Sequence, residues 1–590
     1  MDTVNKIYSV LTGKEKRKAI LLIFLFLISA MIDSLGVVSI IPLIALVSRP
    51  DLIESNNFLN QIYIFSNLNN SQEFLLYAAS IFFFIFILSL AIKTVAIYFQ
   101  FTFTLMCEYS LGKRLLRNYM FQNYSWFLNR HSSELAKNIL STTNQVVHQA
   151  LIPTFNFFAF AFSAFLIIIL LCLVNLKLTL IIGIIFGIIY FIIYNLFYKK
   201  VKLLSLERTQ SDKLRYTALN NAFSSIKETK LNGIEDYFIQ VFSKSAKSFS
   251  KVQATALIIG QLPRYLFEII VFGGLLLAML YLIKNDQDLI SVLPILSFYI
   301  FAGYRLLPAL QQIYSAFTSL SFSHASIETI HKELLFQIKI NKKNVTLSFN
   351  KQISLKNISY NYSEISKSIL NKISLTIKAK DIVGFVGRTG SGKTTLVDLI
   401  LGLLQPSQGT LEIDNVTINE SNISSWQSNI GYVPQQIFLT SDSISSNIAL
   451  GEDIKLIDQE AVEHASKLAN IHDFIMNELP NKYNTEIGER GIRLSGGQCQ
   501  RIGIARALYK KPKVLILDEA TSALDNLTEK EVMSAINNLR KDITIILITH
   551  RLITLKSCDQ IFFMKEGSVI AAGNYKQLFE NNEDFKRFVS

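Results

Sequence analysis

The residues best suited to chemistry lie in the second half of the chain. Gly387-Arg388-Thr389-Gly390-Ser391-Gly392-Lys393-Thr394-Thr395 follows the strand-like run Asp381–Val386 and opens an apolar helical pattern. Glycines at such a bend let successive backbone N–H groups turn inward around phosphate oxygens. A lysine placed there reaches the β and γ oxygens, and the Thr394 hydroxyl suits Mg²⁺. The helix that begins at this point adds the positive end of its dipole. Further on, Lys513–Ala520 reads as a buried strand ending at Asp518 and Glu519. Asp518 suits a direct or water-mediated Mg²⁺ contact, and Glu519 is placed to orient and deprotonate an attacking water. The chemistry implied is hydrolysis of a nucleoside triphosphate.

These groups need a scaffold that presents them at one edge. After a polar stretch at Lys332–Phe349, short apolar strands alternate with helices, the pattern of a parallel α/β sheet. The expected organisation is a multidomain chain. Residues 1–330 form an all-α six-helix transmembrane bundle, 331–350 a linker and 351–590 an α/β P-loop nucleotide-binding domain.

Composition supports the bundle. Of 590 residues, 50% are hydrophobic and 17% charged, and the mean hydropathy is +0.33. Soluble proteins carry about 25% charged residues, so a single soluble globule is excluded. A membrane helix needs about 20 apolar residues. Six segments qualify: Ala19–Val47, Phe74–Met106, Ala150–Val174, Leu178–Tyr198, Ala254–Ile283 and Leu289–Ser321. The four cysteines, Cys107, Cys172, Cys499 and Cys558, form no CxxC pair, which excludes a zinc ribbon or a disulfide scaffold.

Residues 1–330 carry 27 Lys and Arg against 17 Asp and Glu, while residues 331–590 carry 31 against 28. The surplus sits in the segment before the first span and in the links after the second and fourth. The alternate links hold little beyond Arg49, Lys177 and Lys284. The positive-inside rule then places both termini and the two long links in the cytoplasm. The first apolar run is too long for a cleavable signal. The long links read as helical, extending the membrane helices into the cytoplasm. The external segment Arg49–Glu73 reads either as an interfacial amphipathic helix or as an ordered loop. No basic stretch interleaved with aromatics occurs, so no nucleic-acid partner is expected.

Between the phosphate loop and the Asp518 strand lies Leu494-Ser495-Gly496-Gly497-Gln498. Alone it would be a glycine-rich turn before a helix. In this order of elements the chain resembles the ATP-binding-cassette exporters over its whole length. The resemblance implies that Tyr362 stacks on adenine, that Gln435 couples the γ-phosphate and Mg²⁺ site to the membrane domain, and that Ser495, Gly496, Gly497 and Gln498 bind nucleotide. It also assigns nucleotide contacts to Asp525 in Ser522–Asp525 and a catalytic place to His550. Thr485–Arg490 matches the segment that touches the internal links, and Tyr124–Ile139 and Ser224–Asp236 resemble the two coupling segments. Hydrophobic Trp126 and Phe127 in a basic link fit docking into a cassette groove. Cys499 departs from the basic residue often found after the signature glutamine, and introduces a thiol open to oxidation. Because such ATP sites are shared between two cassettes, the resemblance implies a homodimer with an identical second subunit, with ATP and Mg²⁺ at the joint.

Charges within membrane helices tend to face a cavity or a partner. Asp33, Lys93, Arg264, Glu268 and Arg305 fall in the six segments. Arg264 and Glu268 are spaced for an i,i+4 pair, Lys93 has a stem long enough to snorkel, and Arg305 has no acidic neighbour in sequence. Gly260–Glu268 and Phe301–Leu310 resemble bacterial flippases of the lipid-linked oligosaccharides used in protein N-glycosylation. That resemblance implies a basic cavity holding Lys93, Arg264 and Arg305, and a polyprenyl-pyrophosphate glycan moved across the bacterial cytoplasmic (inner) membrane. Gln311 and Gln312 stand where that family has a further arginine. The alternatives are an exporter of peptide, drug or other lipid, for which no peptidase domain precedes the first helix, and a gated channel or regulatory ATPase. Glu519 argues against the last.

Overall fold

The computed structural model describes residues 2–38, 71–174, 176–284, 289–335, 347–362, 368–488, 494–520, 525, 529–534, 542–549 and 551–589. Two compact units emerge. One gathers residues 1–122 and 129–338, the other residues 123–128 and 339–590.

In the first unit, the apolar runs lie in long helices: Gly13–Val38, Ser71–Met120, Ile152–Val174, Leu176–Ser224, Glu235–Lys284 and Leu289–Phe322. Helices of 49 or 50 residues extend well beyond the length a bilayer requires, so three of these run on past their apolar halves. Among the described residues, Ala79–Met120 and Ser132–Leu173 are long and apolar enough to cross a membrane by length and composition. Small residues allow close approach where Ala164, Ile167 and Leu171 meet Ala302, Leu306 and Ala309. Pro263 sits inside Glu235–Lys284, where it removes one helix hydrogen bond. Two π-type stretches, Asn138–Thr142 and Val147–Leu151, interrupt the helix leading into Ile152–Val174. The N-terminal helix Asp2–Val10 packs on the helix His324–Leu335, with Lys6 Nζ 2.6 Å from Glu328 Oε2.

The external segment Arg49–Glu73, expected as an interfacial helix or an ordered loop, falls almost wholly outside the described residues, as does the centre of the linker. The helix His324–Leu335 runs past residue 331, where the linker was expected to begin.

The second unit holds ten strands among the described residues. β1 (Gln352–Tyr360), β2 (Leu370–Lys378), β4 (Gln408–Ile413) and β5 (Val416–Thr417) form an antiparallel sheet in the order β2-β1-β4-β5. β3 (Ile382–Gly387), β6 (Ile430–Val433), β7 (Val514–Asp518), β8 (Thr544–Ile548), β9 (Gln560–Lys565) and β10 (Ser568–Gly573) form the other, in the order β10-β9-β3-β8-β7-β6. All neighbours in this sheet are parallel except β9 and β10. Burial on both faces explains the unbroken apolar strands. Ile382, Val386, Leu515, Leu517, Ile545 and Leu547 point into one core. Val383, Phe385, Val514, Ile516, Ile546 and Ile548 point into the other.

Candidate functional site

The carboxyl ends of parallel strands are where open α/β sheets bind ligands. Here the phosphate loop follows β3, Gln435 lies after β6, Asp518 ends β7 and Glu519 follows it. β8 lies between β3 and β7 and runs out toward His550, which is outside the described residues together with Ser522–Leu524.

The loop has the backbone that its glycines allow. Gly387 has φ +152° and a Cβ there would run into the Met564 carbonyl oxygen; Gly392 has φ +96° and a Cβ would meet Leu370 Cδ2 at 2.7 Å. Gly392 also caps the helix Lys393–Ile400, whose first N–H groups face the loop. Arg388, Thr389, Gly390 and Thr394 are exposed, whereas Ser391, Lys393 and Thr395 are buried. Lys393 Nζ donates to the carbonyl oxygens of Gly387 at 2.8 Å and Arg388 at 3.1 Å. The buried Ser391 Oγ has no hydrogen-bond partner.

Across from the loop, burial raises the Asp518 carboxyl, Glu519 adds to the rise, and Lys393 opposes it. Burial lowers the Lys393 ammonium while Glu519 and Asp518 hold it charged. Glu519 adopts φ +49°, an unusual conformation for a residue with a side chain, and its N–H donates to the Ile548 carbonyl at 3.0 Å. That bond continues the β7–β8 ladder by one step and aims the carboxylate beyond the sheet. Gln435 Nε2 donates to Glu519 Oε2 at 2.7 Å.

The residues present fit a nucleotide with Mg²⁺. An orphaned serine hydroxyl, glycines at 387 and 392 where a Cβ would clash, and a lysine held charged by Glu519 and Asp518 suit phosphate oxygens and a hard cation. Thr394, Gln435 and Asp518 would hold Mg²⁺, which would neutralise phosphate charge there. Tyr362 is partly exposed, its ring 5.2 Å from Tyr360 and its hydroxyl 3.3 Å from Thr395 Oγ1, so a purine face can lie near the loop.

The expected signature segment opens the helix Gly496–Tyr509. Ser495 Oγ accepts from Gln498 N at 3.2 Å, and Ser495 N donates to Gln498 Oε1 at 2.7 Å, a reciprocal cap. Gly496 and Gly497 leave the helix end without side chains. Cys499 is half-buried and burial raises its thiol, which works against the expected ease of oxidation. Asp525 is exposed, and its charge favours the cationic form of Arg501.

Residues 19–306 match the ABC transporter transmembrane region, and residues 370–522 match the ABC transporter family model. The chain belongs to the ABC transporter family. Its nucleotide unit is that of an ABC ATPase, and the helical bundle followed by an α/β cassette is an exporter-type half-transporter arrangement. It is 42% identical over 259 residues to an ATP-dependent lipid A-core flippase of Saccharophagus degradans, covering 44% of each chain. It is 34% identical to the alpha-hemolysin translocation ATP-binding protein of Proteus vulgaris, over 65% of this chain and 55% of that one. This ABC chain thus matches less than two thirds of either relative's length. The fold is also that of a bacterial Atm1-family ABC exporter solved with ATP bound, with a TM-score of 0.79, 22% identity, and 98% and 97% of the two chains covered.

Of Lys93, Arg264 and Arg305, the cations expected to share a transport cavity, Lys93 lines a cavity of the bundle. A cavity of about 240 Å³ opens among the bundle helices, lined by Lys93 together with Ser29, Gln100, Asn156, Ser163, Gln312 and apolar residues. Arg264 and Arg305 are not among its walls. Arg264 Nε lies 2.8 Å from Glu268 Oε1, the i,i+4 pair, and the Arg305 guanidinium lies 5.8 Å from the Phe86 ring. Gln100 Nε2 donates to Asn156 Oδ1 at 2.9 Å, and Gln311 Nε2 to Gln261 Oε1 at 2.6 Å. Gln312 stood out in the sequence, whereas Gln100 and Asn156 on the same wall did not, because a lone glutamine or asparagine on an apolar helix carries no spacing signal.

Proposed function

We propose that the chain is one half of an ATP-driven exporter that works as a homodimer in the bacterial cytoplasmic membrane, with both termini inside. Its cargo is a polyprenyl-pyrophosphate-linked oligosaccharide or a related surface-glycan precursor. The observation that carries the ATP-driven part is the Gln435–Glu519 hydrogen bond beside Lys393 and Asp518. This arrangement holds a carboxylate ready to take a proton from water at the edge where the γ-phosphate would lie. Each chain carries one phosphate loop and one Ser495 signature, so two copies facing each other supply two shared sites. Four phosphate charges at that joint need the N–H groups of Gly496 and Gly497 from the opposite copy. His550 is assigned to the γ-phosphate in this reading.

The cargo reading leans on Lys93, which has no ion pair among the described residues and borders a partly polar cavity. An ammonium bordering a membrane-helix cavity favours an anionic headgroup. Arg264 and Arg305 are assigned to the cargo path as well, Arg264 giving up part of its pull to Glu268. The lipid A-core flippase among the relatives agrees with a glycolipid. A second reading, export of a peptide, drug or other lipid, is favoured by the mostly apolar walls of the same cavity. Reconstitution with lipid-linked glycan, following headgroup accessibility with and without ATP, separates them. ATP-dependent loss of headgroup from one leaflet supports the first; ATPase stimulation by apolar drugs or peptides alone supports the second.

A further inference from the structure

The cavity beside Lys93 is built from more than one charge, and its polar groups fall on two levels. Gln100, on Ser71–Met120, is almost fully buried, where an amide has to be paired or to serve a ligand. Its Nε2 donates to Asn156 Oδ1 on Ile152–Val174 at 2.9 Å and to the Ile152 carbonyl oxygen at 3.5 Å. Those two bonds use both donors of the Gln100 amide. Gln100 Oε1 remains as an acceptor and Asn156 Nδ2 as a donor, on two residues that line the cavity together. The two helical stretches run antiparallel: Phe103 packs on Phe155 with ring centroids 5.8 Å apart, and a Cβ on Gly112 would lie 3.8 Å from the Ile139 carbonyl oxygen. Lys93 stands seven residues before Gln100 and Ser163 seven after Asn156, about 10 Å along each helix. In an antiparallel pair these steps run the same way, so Lys93 and Ser163, both cavity residues, share the second level.

The two levels differ in chemistry. An ammonium with a hydroxyl suits a phosphate. A neutral acceptor beside a neutral donor suits two adjacent hydroxyls, each of which both gives and accepts a hydrogen bond. The separation of the levels is that between the phosphates and the far hydroxyls of a glycosyl diphosphate. At about 240 Å³ the cavity falls below the roughly 300–1,000 Å³ of sites that enclose whole drug-sized molecules, so it takes one sugar ring rather than an oligosaccharide. The order of the levels fits entry from the inner leaflet. Ser71–Met120 ends at the first link, which the topology proposed above puts in the cytoplasm, so the amide level lies on the cytoplasmic side of Lys93. A lipid of the inner leaflet likewise carries its phosphate nearer the membrane centre than its sugar.

We propose that Gln100 and Asn156 form a subsite that reads the sugar bonded directly to the lipid pyrophosphate, through hydrogen bonds to two neighbouring ring hydroxyls. This deepens the glycolipid reading above and rests on it. Lys93 and Ser163 hold the phosphate, and the two amides set which first sugar is accepted. Amides of this kind discriminate more sharply than apolar walls, since a cargo without the hydroxyls leaves buried polar groups unmatched.

The test reconstitutes the full-length protein in liposomes and measures the lipid concentration that half-stimulates its ATPase. The lipids are polyprenyl pyrophosphate bare, or carrying one glucose or one galactose. The better of the two sugars should lower that concentration by about tenfold or more relative to the bare lipid. The double variant Gln100→Leu with Asn156→Leu replaces both partners by apolar groups of similar size, and in it the sugar-bearing and bare lipids should coincide. A merely structural role for the pair would shift all three lipids alike and leave their ratio in place. Equal responses to bare and sugar-bearing lipid in the unaltered protein, or a sugar preference that survives in the double variant, overturn the proposal while a pyrophosphate-lipid cargo stands. If the unaltered protein hydrolyses ATP and none of the three lipids stimulates it, the glycolipid reading fails and the subsite falls with it. Should the double variant not assemble, the unaltered protein decides with lipids whose sugar lacks the 3- or the 4-hydroxyl: loss of the preference with either supports the subsite, and a preference kept with both overturns it.

Discussion

Gln435 Nε2 and Glu519 Oε2 are 2.7 Å apart, joining the loop after β6 to the residue that follows β7. The two strands are neighbours in register, with Val433 opposite Leu517, so the sheet itself brings this pair together.

Glu519→Gln should keep nucleotide binding and lose turnover, by about 10²- to 10⁴-fold if the residue is the general base. Phosphate release measured beside equilibrium ATP binding checks it. Turnover at the unaltered rate would remove Glu519 from that role.

Gln435→Ala removes the side-chain hydrogen bond that Gln435 gives to Glu519. The expected loss falls on kcat, with the affinity for ATP nearly kept, because the glutamine positions the base rather than the phosphates. A change confined to KM would contradict this.

Much of the cassette was legible because its chemistry runs through backbone and glycine geometry. The φ values at Gly387 and Gly392 are what a Gly-rich bend before Lys393 requires. The i,i+4 spacing likewise announced the Arg264–Glu268 pair. Long-range relationships left no such trace. Asp212 lies 71 residues from Ser141, and polar residues four apart on a long helix read as a solvated face rather than the partners of a buried carboxylate. Nor does local pattern tell that residues 123–128 group with the cassette unit, although the Trp126 and Phe127 pair, with rings 5.1 Å apart, gave the hint.

Lys93→Gln should reduce flipping of a pyrophosphate-linked glycan more than Arg264→Gln does, with basal ATPase preserved in both. Lys93 lines the cavity, whereas the Arg264 charge is already met by Glu268. Equal losses, or none, in a headgroup-accessibility assay would count against the cavity as the cargo site.

Asp398, on the helix that follows the phosphate loop, is pushed up to about 6 by burial and by Asp518. The folded protein therefore binds this proton more tightly than the unfolded chain, so stability is gained as pH falls through about 6 and the charged form penalises the fold above it. In the nucleotide-free protein, Asp398→Asn should stabilise the cassette by up to roughly 3 kcal/mol at pH 8 and by little at pH 4. Melting of the cassette across that range checks the sign.

The shared ATP site is tested most directly by mixing two inactive chains, one carrying Lys393→Ala and the other Ser495→Arg. If each site combines the phosphate loop of one copy with the signature of the other, a mixed pair holds one intact site and hydrolysis returns when the two are co-assembled. If hydrolysis stays absent in purified mixed pairs, or if the unaltered protein hydrolyses ATP at full rate as a strict monomer, the account is contradicted.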